Sequence, residues 1–111
     1  MPVRGELWWI AVESAADEAR RRPVLIVQID AFNQSLIRTV VCAVISADLR
    51  LRAAPGNVLL PRRVSRLSQD MVCNVSQLIT IDKARLFERI GRVPPALLRE
   101  VDTGLRLVLG I

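Results

Sequence analysis

Arg20, Arg21 and Arg22 run directly into the apolar segment Pro23-Val24-Leu25-Ile26-Val27-Gln28. A guanidinium binds phosphate through two parallel charge-assisted hydrogen bonds, and a strand behind it supplies a rigid mount. Pro23 locks its own φ and biases Arg22 towards an extended conformation, which gives that arginine a defined direction. Two readings fit this stretch taken alone: a phosphate-handling site, or a solvated charge run capping a core strand.

The rest of the composition narrows the chemistry. The chain has no histidine and no tyrosine, so a histidine-based zinc site, a histidine triad and a two-histidine ribonuclease mechanism are excluded as such. Acid–base work falls to Asp, Glu, Arg, Ser or Thr, or to the substrate itself. Sixteen basic residues against 11 acidic ones give a net charge of +5, and Lys83 is the only lysine. Arginine suits phosphate contacts; coding bias in a GC-rich genome explains the excess of arginine over lysine equally well, but not the net charge. Cys42 and Cys73 sit in apolar strand-like settings without a ligand-like neighbour, which makes buried reduced thiols the default reading.

The elements that must position these residues are mostly strands. At 111 residues, 51% of them hydrophobic, the chain is expected to form one domain over residues 1–111 around a single core. Glu6 to Val12 reads as a first strand, with Trp8 and Trp9 pointing to opposite faces. Glu13 to Arg22 reads as a charged loop of the length that binding loops have. Pro23 to Ile29 is a second strand buried on both faces, and Thr39 to Ser46 a β-branched third strand that ends in polarity, so Ser46 holds a hydroxyl rigidly at a strand end. After Pro55-Gly56-Asn57, a strong turn signal, come a short strand at Val58-Leu59-Leu60 and a basic loop at Arg62-Arg63-Val64-Ser65-Arg66. The strand Met71 to Val75 follows, with a continuation or bulge at Gln77 to Ile81. Asp82 caps a helical turn, Glu88 to Val93 forms a last strand, and Pro94-Pro95 opens a helix from Ala96 to Leu109. Leu97, Leu98, Val101, Leu105, Val108 and Leu109 give that helix one apolar face, expected to dock on the sheet or on a partner subunit.

In order along the chain, Gly5-Glu6-Leu7-Trp8-Trp9, Arg22-Pro23-Val24-Leu25-Ile26-Val27-Gln28 with Asp30, and Ser46 resemble the MazF/PemK toxins of bacterial toxin–antitoxin pairs. So do Pro55-Gly56-Asn57-Val58, Asp70-Met71-Val72, Gln77, Thr80-Ile81-Asp82-Lys83-Ala84-Arg85-Leu86 and Arg89-Ile90-Gly91-Arg92-Val93, which precede the leucine-rich helix. The resemblance implies a mainly β protein with α additions, a small SH3-like or CcdB-like β-barrel with a C-terminal helix. It also implies a homodimer that cleaves single-stranded RNA sequence-selectively without a metal or other cofactor. The RNA's own 2′-hydroxyl would be the nucleophile, leaving a 2′,3′-cyclic phosphate and a 5′-hydroxyl. Carried over by position, Arg22 and Ser46 are the catalytic pair and Asp17 an acidic contributor from the first loop. Gln28 and Gln77 in the matching motifs, and Arg20, Arg21, Arg62 and Arg63 in the basic runs, are substrate-binding candidates. Ile29 and Ile79 depart from the polar residues common at those positions, so an RNA sequence preference does not carry over.

The family also implies a cognate antitoxin whose acidic, partly disordered tail orders in the basic groove on binding. Two alternatives belong to other classes: a non-catalytic binder resembling the CcdB toxins that poison DNA gyrase, and an RNA-binding module with a decayed site. No apolar run approaches the ~18 residues needed to span a bilayer, and no signal-peptide core precedes the first strand, so a cytoplasmic protein without a membrane partner is expected.

Overall fold

The structure, a computed structural model, describes residues 1–11 and 21–111. Among these, six strands form one antiparallel sheet: β1 (Glu6–Ala11), β2 (Arg21–Ile26), β3 (Thr39–Ser46), β4 (Val58–Leu60), β5 (Met71–Asp82) and β6 (Leu86–Arg92), in the order β4-β5-β3-β2-β1-β6. Three α-helices accompany them, the short α1 (Asp30–Asn33) and α2 (Arg62–Ser65) and the long α3 (Pro95–Leu109). Single 3₁₀ segments span Leu49–Ala53 and Lys83–Arg85.

The sheet curls into a half-barrel. β4 and β6 are its two edges, yet α2, which follows β4, packs on β6: a Cβ added at Gly91 would lie 3.2 Å from the Arg66 side chain. Alternation along the central strands buries both faces. Leu7, Leu25, Ala43 and Ile45 join Cys73, Val75, Val101 and Leu105 in the larger core, with Trp9 packed on it. Ile10, Val24, Ile26, Val40, Cys42 and Ile81 make the second, against which Trp8 packs. The two tryptophans therefore do point to opposite faces, and each packs on a core. Both cysteines are free and buried, and burial pushes their thiols up to about 12.

α3 docks Leu97, Leu98, Val101 and Leu105 on the larger core, while Leu107, Val108 and Leu109 beyond them are exposed. Its Gly104 admits the Gly56 turn, where φ is +86°, to backbone contact; a side chain at 104 would collide with the Gly56 carbonyl. Glu6 is buried but compensated: its carboxylate accepts from the Val3 N–H (2.7 Å) and the Trp8 indole (3.2 Å) and pairs with Arg89 (2.9 Å).

Several boundaries differ from the sequence expectation. β2 begins at Arg21 rather than Pro23, because β1 pairs Ile10 with Arg22 and Ala11 with Arg21. It ends at Ile26, where the Val27 and Gln28 N–H groups share the Val41 carbonyl. The basic loop at 62–66 is α2 closed by Arg66 in the left-handed region, φ 65°. β5 runs unbroken from Met71 to Asp82 with a bulge, and β6 starts at Leu86. Most of the Glu13 to Arg22 loop lies outside the described residues. Among those described, no helix is long and apolar enough to cross a membrane.

Candidate functional site

Pairing of β1 with β2 keeps Arg21 and Arg22 extended, so their side chains leave opposite faces of the sheet. Arg21 shares the face of Trp9 and Leu25. Its guanidinium lies over the Trp9 ring, 4.5 Å from the centroid, and 3.5 Å from the Glu88 carboxylate. Arg22 shares the face of Val24 and Ile26, and it is exposed.

Ser46 enters through the register between β2 and β3. Val24 is opposite Val44, Leu25 opposite Ala43 and Ile26 opposite Cys42. Continued two residues beyond these pairs, the same register would set Arg22 opposite Ser46, on the face they share with Val24 and Val44. Val24 and Val44 beneath them are fully buried, so the pair stands on a packed floor. Ser46 is half-buried, and its Oγ accepts a hydrogen bond from the Asp48 N–H at 3.1 Å. A guanidinium and a hydroxyl side by side make a donor-rich mount for an acceptor-only group such as a phosphodiester.

Asp48 and Arg50, which the sequence reading did not select, line the same corner. The Asp48 carboxylate accepts from the Arg50 backbone N–H (3.1 Å), from its Nε (3.0 Å) and from its Nη2 (3.1 Å). The Arg50 guanidinium, followed by its backbone N–H, holds that carboxyl below the usual range. Asp48 is thus an ionised acceptor and a poor proton donor. The Ser-x-Asp-x-Arg spacing at 46–50 is the signal that would have revealed it.

The remaining candidates disperse. Gln77 is exposed in the bulge of β5 that faces the Ala43–Val44 step of β3, within a few residues of Ser46. Bulges re-aim side chains and recur beside active sites. Arg62 and Arg63 are exposed on α2, which follows the β4 strand paired with the start of β5; the Arg62 N–H donates to Asp70 at 2.8 Å. Gln28 lies at the other end of β2, with its amide engaged by Asn33, Thr39 and Val41. Asp17 and Arg20 lie outside the described residues. Among the described residues, no cluster of three or more Cys, Asp or Glu side chains could hold a metal ion.

Residues 3–109 match the model of a family described as PemK-like, MazF-like toxin of type II toxin–antitoxin system. Endoribonuclease MazF2 of Mycobacterium bovis is 44% identical over 110 residues, covering 97% of this chain and 96% of the relative. Endoribonuclease MazF6 of Mycobacterium tuberculosis matches to the same extent. Among solved structures, an endoribonuclease in complex with its cognate antitoxin from a mycobacterial species superposes with a TM-score of 0.80 at 24% identity, covering 100% of this chain and 97% of the other. The MazE–MazF structure (Form-III) from Deinococcus radiodurans gives 0.81 at 24% identity, covering 99% and 97%. These two likenesses bear on the fold.

Proposed function

This chain belongs to the PemK-like, MazF-like toxins of type II toxin–antitoxin systems, and we propose that it is an endoribonuclease toxin held in check by a cognate antitoxin. The observation that carries this reading is the β2–β3 register, whose continuation beyond Val24 and Val44 would bring Arg22 and Ser46 together at one sheet end.

The substrate is single-stranded RNA, cut sequence-selectively and without a metal or cofactor. The 2′-oxygen of the RNA attacks the adjacent phosphorus and loses its proton, the bond from phosphorus to the 5′-oxygen breaks, and that oxygen takes up a proton. The products are a 2′,3′-cyclic phosphate and a 5′-hydroxyl. Because the nucleophile is built into the substrate, the protein need not activate water; it must stabilise charge on the crowded phosphorane. Arg22 does this with its guanidinium donors. It acts through charge rather than by proton transfer. Ser46 donates to a phosphate oxygen, and Asp17 contributes from the first loop.

Arg20, Arg62 and Arg63 draw the RNA in through a field that its phosphates feel at long range, and Gln77 contacts it from the β5 bulge. The active form is a homodimer in the cytoplasm, where RNA is available. The antitoxin offers an acidic, partly disordered tail that orders on binding. Relatives and neighbours named as endoribonucleases, one of them with its cognate antitoxin, support this reading.

The test is incubation of the purified protein with a long single-stranded RNA in EDTA, with cut sites and end groups mapped. Discrete cuts ending in cyclic phosphate are expected. A folded protein that cuts none of several unrelated RNAs would overturn the proposal in favour of a non-catalytic binder.

A further inference from the structure

We propose that Asp48 is a positioning residue for the cleavage reaction, acting through the Ser46 hydroxyl; the inference rests on the endoribonuclease reading above. A serine hydroxyl has one proton and two lone pairs. In this protein one lone pair already accepts the Asp48 N–H, at 3.1 Å. The hydroxyl proton therefore lies away from that bond, where it can turn to the face shared with Arg22. Ser46 is set as a donor, and its occupied lone pair is withdrawn from competition for the Arg22 guanidinium. Both groups then converge on one acceptor, a non-bridging phosphate oxygen.

The Asp48 N–H is itself well held. Its residue caps the 3₁₀ segment Leu49–Ala53, accepting from the Arg50 N–H, and Arg50 grips the carboxylate with two further donors. That segment is tied to the sheet through Asn57, which donates to the Leu51 carbonyl at 2.9 Å and accepts from the Val75 N–H at 3.0 Å. Arg50 also cancels a negative charge that would otherwise stand next to the bound phosphate. Asp48 thus contributes a backbone donor, a cap and a neutralised charge, and does not touch the reacting atoms.

A proline scan separates these roles. Asp48 has φ −76°, which proline can adopt. Asp48→Ala and Asp48→Pro both remove the carboxylate, but only Asp48→Pro removes the N–H. Asp48→Pro is expected to lower kcat roughly three- to tenfold below Asp48→Ala, the scale of one neutral hydrogen bond, with KM unchanged. In a Ser46→Ala background the two variants should have equal rates. Asp48→Asn, which keeps the N–H and the cap, should restore most of the activity.

A phosphorothioate at the cleaved linkage supplies a second readout, because sulfur accepts hydrogen bonds poorly. Its rate penalty should shrink in Ser46→Ala and in Asp48→Pro, and persist in Asp48→Asn. Equal kcat for the alanine and proline variants in active protein, or a proline deficit that persists without Ser46, would overturn the inference and leave the ribonuclease intact. Should Asp48→Pro not fold, the cycle of Ser46→Ala with Asp48→Ala decides: additive losses overturn the proposal and sub-additive ones support it. An inert wild type would instead overturn the endoribonuclease reading.

Discussion

At the N-terminal end of β2, Arg22 stands exposed on the face it shares with Val24; at the C-terminal end, Gln28 spends its side chain inside the protein. Gln28 donates to Asn33 (3.0 Å) and to the Thr39 carbonyl (3.2 Å) and accepts from the Val41 N–H (3.3 Å). Asn33 is fully buried and donates in turn to the Gln28 carbonyl and to Asp30. Lys83 closes this end from outside, donating to the carbonyls of Phe32, Asn33 and Ser35. Both ends are polar caps on one buried apolar run, yet one is saturated with internal hydrogen bonds and the other presents its donors to solvent. A saturated network sets the chain path, whereas donors presented to solvent are available to a ligand.

The largest expected effect that tests this contrast is at the open end. Arg22→Ala should lower kcat by about 10²–10³-fold, the cost of losing a preorganised charge-stabilising donor, while the melting temperature stays put. A melting temperature that falls while the rate holds would reverse the roles of the two ends. Asn33→Ala should do the opposite. It leaves buried partners without hydrogen bonds, so urea unfolding should show a loss of about 1–3 kcal/mol with kcat unchanged.

A smaller effect is expected for Lys83→Met, about 1 kcal/mol in the same unfolding assay, since the ammonium serves carbonyls at a half-exposed site. The smallest concerns Asp30. Its carboxyl is held below the usual range, first by the Arg4 backbone N–H and then by the Asn33 amide. The stabilisation this represents is fully present above the unfolded pKa of ~3.9 and is lost as pH falls through the lower folded value. Acid unfolding of wild type and Asp30→Asn should therefore differ above about pH 4 and converge below it; a gap that widens with acid would contradict the pairing.

Much of this was legible without coordinates, for identifiable reasons. Alternating and β-branched runs mark β1, β3 and β5, since a strand that buries a face must show it in its residues. Leu97 to Leu105 mark the docking face of α3 through helical spacing. The order Arg22-Pro23 then Ser46 pointed to the proposed catalytic pair through family resemblance. Less legible was the tie of Gln28 to Asn33, Thr39 and Val41, which lie five to thirteen residues further along the sequence and meet it only at the β2–β3 connection. Arg62 and Arg63 read as a loop because a single helical turn has no periodicity to detect.

By itself, then, the sequence determined which segments become strands, which face of the last helix is apolar, and that histidine takes no part in the chemistry. These follow from local spacing and residue type. The tertiary structure decided which of the adjacent arginines shares a face with the hydroxyl, because a strand sends neighbours to opposite sides and the pairing register sets which side Ser46 takes. It likewise set the Asp48 N–H on the Ser46 hydroxyl, a contact made by the geometry of a turn rather than by the residues alone.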